Sequence, residues 1–368
     1  MRTEPNYLLL NDREIEIAIR RGLIDLEHPE VYLEERKADL IQPASMDLIL
    51  EDTDETRSVV PFTKEDSRTF FGRHPDVSDD YVTFWPNYEM ETIVENLRWY
   101  NGTELATLVE IRSTLRRIGL DAGFMPQGVG FNEDRKGFIS IRNVQSYPVS
   151  IQKGTKIGQI LWLNKKLVPS QEPSEYYIPN PNIIGSGICI SINRDLEKLV
   201  QQGDLWLGEN PVFRDGLVLF HAGNVETYNP QKHIIIHKDR KPNLAELETK
   251  ISKTHHLEPG KFIDVRTTER IKASNRVGIF VKYHLDFFGE GKYSDGEELF
   301  FVHDASSGGW IDPGYGYGSE EGAIFSAQLK AYSRPLTINE GDVIGYGTVF
   351  FFPRGVGTAY GSERNSHY

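Results

Sequence analysis

The chain has 368 residues, 39% hydrophobic and 26% charged, which is the balance of an ordinary globular protein with length for two or three domains. Its formal net charge of −13 excludes a long nucleic-acid backbone as the main partner, because such binding needs a positive footprint. A small polyphosphate is still allowed, since a local Arg cluster and a bound Mg²⁺ can meet its charge. The one cysteine, Cys189, excludes a disulfide within the chain and any zinc site built on a C-x-x-C pair.

The first residues, MRTEPNYLLLNDREIE, lack the apolar core and small-residue cleavage site of a secretory signal. The longest apolar stretches, such as Val349 to Phe352, are far too short to span a membrane, so a cytoplasmic protein with no membrane partner is expected. Asn11-Asp12-Arg13-Glu14 reads as an N-cap with a capping-box Glu, and Ile15, Ala18 and Ile19 then share one helix face before Gly22 closes it. The charged stretch from Asp54 to Asp80 carries no structural signal. Gly137-Phe138-Ile139-Ser140-Ile141 has the alternation of a strand. Pro148-x-x-Ile151-x-x-Gly154-x-x-Ile157-Gly158 predicts strand, tight turn and strand, and leads into the apolar run Ile160-Leu161-Trp162-Leu163.

From Lys165 to Ile183 the chain carries Pro169, Pro173, Pro179 and Pro181 among Ser, Asn and Glu, as an extended connector would. Beyond it the first features return in the same order. Asn193-Arg194-Asp195-Leu196 opens a second helix, with Leu196, Leu199 and Val200 on one face and Gly203 at its end. Lys261 to Val265 reads as a strand. Pro335-x-x-Ile338-x-x-Gly341-x-x-Ile344-Gly345 repeats the earlier element at identical spacing, followed by Val349-Phe350-Phe351-Phe352. One such pattern could arise by coincidence, but two in the same relation to a capped helix predict a duplication. The expected architecture is mainly β: module one at 1–165, a Pro-rich linker at 166–183 and module two at 184–368, each module with a short N-terminal helix.

Several segments together resemble the dCTP deaminase/dUTPase family, particularly the long, duplicated form of dCTP deaminase. Gln42-Pro43-Ala44-Ser45-Met46-Asp47-Leu48 is similar to its P-A-S-x-D-L element, and Arg112-Ser113-Thr114-Leu115-Arg116-Arg117-Ile118-Gly119-Leu120 to its R-S-S-x-x-R-x-G-L. Gly309-Trp310-Ile311-Asp312-Pro313-Gly314-Tyr315 is similar to G-x-I-D-P-G-[FWY], and the end, Tyr360 to Tyr368, to the tail that closes over the phosphates. The resemblance implies two tandem dUTPase-like modules of the β-clip type in a homo-oligomer. It further implies a deoxynucleoside triphosphate as ligand, dCTP with dUTP as the alternative, bringing its own Mg²⁺, and no zinc.

The residue types suit that chemistry, because guanidinium forks and hydroxyls bind phosphate oxygens or hold a water. By resemblance Arg112, Ser113, Thr114, Asp312, Tyr360 and His367 bind the nucleotide, Asp312 at the deoxyribose, while Arg117 and Ser113 join the catalytic group. Asp47 either caps a turn or supports the site from beneath. The modules are complementary: module one reads Phe124-Met125-Pro126-Gln127 where Asp312 would fall, and module two reads YHLDFFG around Tyr283 to Gly289 where the Arg cluster would fall. A composite site of Arg112, Ser113, Thr114 and Arg117 with Asp312 across an interface is therefore expected.

The family's general base is a glutamate on the strand before the matching Pro. Counting back gives Ser140 and Ile141 in module one, and Ala327 and Gln328 in module two. Gln328 has nearly the right shape but cannot accept a proton at neutral pH. Three readings stay open: a dCTP deaminase whose base is displaced, with Glu133, Asp134, Glu320 or Glu321 as loop candidates; a dUTPase-type pyrophosphatase; and a catalytically silent nucleotide-binding or structural relative. His255-His256 lacks metal-site spacing and reads as an exposed loop. Tyr315 and Tyr317 read either as a base-stacking loop or as surface packing at a turn.

Overall fold

A computed structural model describes residues 6–35, 40–54, 78–86, 89–122, 129–131, 136–143, 145, 147–168, 185–228, 233–238, 240, 249–258, 262–282, 302–304, 309–331 and 335–359. It is mainly β, and its two halves repeat one plan. Each opens with a short strand and a helix: β1 (Asn6–Leu9) and α1 (Asp12–Arg20) in the first, β14 (Gly187–Ile190) and α3 (Asn193–Gln201) in the second. Asn11 caps α1 through a complete capping box with Glu14, as its sequence predicts. The second helix starts at Asn193, as its sequence predicts. Ile192, with extended backbone angles, occupies its N-cap, so Asn193 lies inside the first turn, where its Oδ1 accepts the Gly216 backbone N–H at 2.7 Å.

The long strands β4 (Ser45–Asp54) and β17 (Leu217–Tyr228) hold equivalent places. Each is shared between two sheets and changes partner at an irregularity. Residues Met46 to Ile49 of β4 pair with β13 (Lys156–Val168), and Leu50 to Asp54 pair with β6 (Glu89–Val94). In the second half, Val218 to His221 pair with β27 (Val343–Phe351), and Ala222 to Glu226 pair with β21 (Phe262–Ala273). Such shifts bend a strand and let one chain segment make the corner of a rolled-up sheet. The outer strand beyond β6 is β11 (Gly137–Asn143); beyond β21 it is β25 (Ala323–Ala331). The repeated Pro-to-Ile-Gly element forms β12 (Val149–Gln152) with the start of β13, and β26 (Leu336–Asn339) with the start of β27. Gly154 and Gly341 take φ of +83° and +90° in the two turns. Strand β13 runs to Val168, past 165, and the linker residues 169–184 lie outside the described residues.

The halves join through their first strands. Strands β1 and β14 pair antiparallel, Leu8 with Ile188 and Leu9 with Gly187, while β1 also pairs with β13 and β14 with β27. The order β13, β1, β14, β27 therefore makes one sheet continuous across both modules. A strand from module two, β18 (Ile234–Ile236), also adds in parallel to β12 of module one.

Each module has its own apolar core, and a third cluster lies between them. Leu9, Ala44, Leu161 and Leu163 come from the first half; Phe280, Trp310, Phe350, Phe352 and Val356 come from the second. This explains the two continuous apolar runs. Ile160 and Trp162 point into the core of module one while Leu161 and Leu163 point into the seam, so both faces of the strand are buried. Val349 faces the core of module two, and Phe350 and Phe352 face the seam. His255 and His256 lie on a strand, β20 (Thr254–Leu257), paired with β26, and not in a loop; the His256 ring is 3.1 Å from Thr337 Oγ1. No helix among the described residues is long and apolar enough to cross a membrane.

Candidate active site at the module boundary

Strand β8 (Leu105–Ile111) ends at Arg112, which occupies the N-cap of a single-turn helix, α2 (Ser113–Arg117). Gly119, at φ +84°, turns the chain away, and a Cβ there would stand 2.2 Å from Gln145. Three arginines leave this turn in three directions.

Arg112 reaches Asp47, Nη1 to Oδ2 at 3.4 Å. The same oxygen takes Lys156 Nζ at 3.2 Å and a hydrogen bond from Gln42 Nε2 at 3.1 Å, and the carboxylate is buried. Asp47 therefore anchors the base of the Arg cluster. Arg116 turns inward: its Nε donates to Ile111 O at 2.8 Å and its Nη2 meets Glu110 Oε2 at 3.4 Å. Burial pushes the Glu110 carboxyl above its ordinary range, opposed by the Arg116 charge, the Trp310 backbone N–H and the Gln159 side chain. The Trp310 contact ties this turn to module two, at the strand that carries Asp312.

Arg117 leaves its module altogether. Its Nη2 donates to Ser326 Oγ at 3.1 Å and its Nε lies 3.4 Å from Asp264 Oδ2, both on strands of module two. Register explains why these groups meet. Asp264 of β21 stands opposite Gln328 of β25 and opposite Glu226 of β17, while Arg266 stands opposite Ser326. Directly opposed residues share a face, so Glu226, Asp264, Arg266 and Ser326 form a polar row, with position 328 in register beside it. The intervening residues, Val225, Val265, Ala327 and Leu329, face the core of module two. Asp264 is 1% exposed. Glu226, also buried, is ion-paired with Arg266.

Asp312 is buried and held within its own module. It accepts from Trp310 Nε1 at 2.8 Å, while its backbone oxygen takes the Tyr315 N–H at 3.0 Å in a turn where Gly314 and Gly316 have φ of +97° and +66°. The Arg cluster and Asp312 both lie at the module boundary, but Arg117 meets Asp264 and Ser326, and the cluster reaches the Asp312 strand through Glu110. Tyr315 packs against the core of module two and donates its hydroxyl to Ile324 O at 2.9 Å, whereas Tyr317 is exposed.

Ser113 opens α2 and Thr114 is half-buried within it, but the side chains of Ser113 and Gln328 lie outside the description, as do residues Tyr360 and His367. The stretches 124–127 and 283–289, along with Glu133 and Asp134, fall there too. Of the positions expected for a general base, Ile141 and Ala327 face the cores, while Gln328 pairs in register with Asp264. Glu321 is an exposed partner of Arg270 at 3.0 Å, and Glu320 offers its backbone oxygen to Lys272. Asp264 was not singled out from the sequence. The signal was present in Ile263-Asp264-Val265-Arg266, where apolar and charged residues alternate, yet only tertiary structure brings Arg117 to it. Among the described residues no cluster of three His, Cys, Asp or Glu is arranged to hold a metal ion.

No family model matches the chain, and no curated protein matches it. Its fold is similar to the crystal structure of 2'-deoxycytidine 5'-triphosphate deaminase from Agrobacterium tumefaciens, with a TM-score of 0.64 over 94% of this chain and 98% of that one, at 14% identity. The architecture is thus a dCTP deaminase-like fold in two tandem modules.

Proposed function

We propose that this chain, in the manner of the long, duplicated dCTP deaminases, binds a deoxynucleoside triphosphate and deaminates dCTP to dUTP by hydrolysis, without zinc. The observation that carries the reading is Arg117, which leaves one module to meet a carboxylate and a hydroxyl of the other. The modules do not need that contact to dock. Each large apolar side chain buried in the seam is worth about 1.5–3 kcal/mol relative to exposure, whereas an ion pair taken out of water is often no better than an apolar replacement. A polar cluster kept there is better explained by chemistry than by adhesion.

In this reading Arg112, Ser113 and Thr114 hold phosphate oxygens, and Asp47 fixes Arg112. Asp312, oriented by Trp310, takes the deoxyribose hydroxyl. Arg117 and Ser113 face the reacting end, and Tyr360 and His367 close over the triphosphate. Mg²⁺ enters with the nucleotide as part of the substrate. The purified chain, given Mg²⁺ with dCTP and dUTP separately, should form dUTP from dCTP, and Arg117→Ala should abolish this. Release of dUMP and pyrophosphate would move the protein to the pyrophosphatase branch.

One observation favours a silent relative: the strand that should carry the family glutamate has Gln328 at the position paired with Asp264. Saturable nucleotide binding with no product from either substrate would establish that second reading.

A further inference from the structure

We infer that Asp264 is the general base of this site, doing from β21 what Gln328 cannot do from β25. The inference rests on the deaminase reading and adds to it a residue on a different strand from the one where the base was expected.

Three observations converge on Asp264. First, register sets it directly opposite Gln328, so a carboxylate lies one strand away from the expected position and on the same face. Second, it shares that face with Ser326, which is bonded to Arg117, so it belongs to the group that spans the two modules. Third, its contact with Arg117 is loose. The 3.4 Å approach of Nε to Oδ2 lacks hydrogen-bond geometry, and Arg117 Nε has no hydrogen-bond partner among the described residues. That N–H is a donor in reserve for an acceptor brought by a substrate.

Burial shapes how such a base would work. Asp264 is covered, but Arg117, which lies against it, is 37% exposed. Movement of Arg117 toward substrate would uncover the side of the carboxylate that it faces and admit a water there. The other buried carboxylate of the row, Glu226, is already committed to Arg266. With cytosine bound, Asp264 takes one proton from water as the water oxygen bonds to C4, and passes that proton to N3. The hydroxyl proton of the resulting tetrahedral centre then moves to the amino nitrogen through the same carboxylate. The C4–N bond breaks, C4 becomes a carbonyl and ammonia leaves. Water and dCTP are consumed, and dUTP and ammonia are formed, with no change of oxidation state.

The test uses the full-length chain with Mg²⁺–dCTP, reading ammonia release and dUTP formation alongside dCTP affinity by calorimetry. Asp264→Asn should lower the rate by on the order of 10²–10⁴ while affinity stays within a few-fold. Adding Gln328→Glu to that variant should restore part of the rate, because position 328 faces position 264. An Asp264→Asn protein that keeps its rate within tenfold would overturn the assignment, and so would one that loses dCTP affinity in proportion to rate, since that marks a positioning role. Should Asp264→Asn fail to fold, Asp264→Glu keeps the charge but moves the oxygens; it should slow turnover at least tenfold at unchanged affinity, and an unchanged rate counts against the base role. If the wild-type chain itself makes no dUTP, the deaminase reading has failed and this assignment with it. Activity that survives the loss of Asp264 sinks only the assignment.

Discussion

Arg117 and Asp264 carry opposite charges on different modules, and their energetics are asymmetric. Removing the cation takes an opposite charge away from a buried carboxylate, which should cost about 1–3 kcal/mol in Arg117→Ala, read as a lowered urea midpoint. The double variant Arg117→Ala/Asp264→Asn should lose less than the sum of the two single losses, because the buried negative charge is gone along with the cation; strict additivity would mean that the two side chains do not interact in solution. Glu14 makes a different prediction. Burial raises its pKa, although its Oε2 accepts from Asn11 N at 2.9 Å and from the Ser186 backbone N–H and hydroxyl, both at 3.2 Å. The folded chain then keeps this proton to higher pH than the unfolded chain, whose carboxyl titrates near 4.5. Its contribution is full below that value and is lost as pH rises through the raised one. The stability of Glu14→Gln relative to wild type should therefore improve between pH 4.5 and 7 in paired denaturant melts. A flat or falling difference would show that Glu14 titrates normally.

The turn after β24 (Gly309–Ile311) shows how an element positions a functional side chain. Asp312 stands where β24 ends, and the following residues turn back on Gly314 and Gly316. At Gly316 a Cβ would meet Ile271 O at 2.0 Å and Ala323 N at 2.8 Å, both backbone atoms that cannot step aside, at a φ of +66°. Gly316→Ala should lower the thermal midpoint and weaken nucleotide binding through Asp312. Gly341→Ala, at φ +90° with open space around the new methyl, should cost only about 1 kcal/mol from the backbone. Equal losses in the two variants would mean that the Asp312 turn relaxes around the added carbon. The end of β27 leads to another anchored element. Gly357 N and Thr358 N donate to the two carboxylate oxygens of Asp12 at 2.8 and 2.9 Å, so the first turn of α1 holds the residues that precede the tail. Asp12→Ala should increase protease cleavage after residue 356 without unfolding the modules, and an unchanged digestion pattern would show that the tail is held elsewhere.

The whole molecule is two modules that share three devices: the β1–β14 pairing, the apolar seam, and β18 donated to β12 of module one. Each half alone would expose a row of unpaired backbone groups on its first strand and the phenylalanine or leucine face of its last strand, which is an invitation to aggregate. Residues 1–168 and 185–368 expressed separately should be poorly soluble, and co-expressed they should form a stable one-to-one complex. Independently soluble, folded halves would show that the seam is dispensable. Because Arg117 and Asp264 come from opposite modules, the site exists only in the docked molecule, and nucleotide binding should follow reassembly.

How much was legible in the sequence depended on the range of the interaction. The capping box at Asn11 and Glu14, the twin Pro-to-Ile-Gly turns and the alternation in β11 are local patterns, fixed by neighbours a few residues away, and the chain carries them openly. The duplication was visible for the same reason, since it is a repeat of local patterns. The start of α3 at Asn193 was legible for the same reason, whereas the bond that the distant Gly216 N–H gives Asn193 was not. The continuous apolar runs at 160–163 and 349–352 announced strands but not what covers their second face. The meeting of Arg117 with Asp264 was out of reach. It depends on the modules docking through β1 and β14, on bends that carry β17 from one sheet to another, and on a register that turns Asp264 away from its own core. Long-range pairing chooses the partner of a buried charge, whereas the sequence by itself determines only that the charge is there.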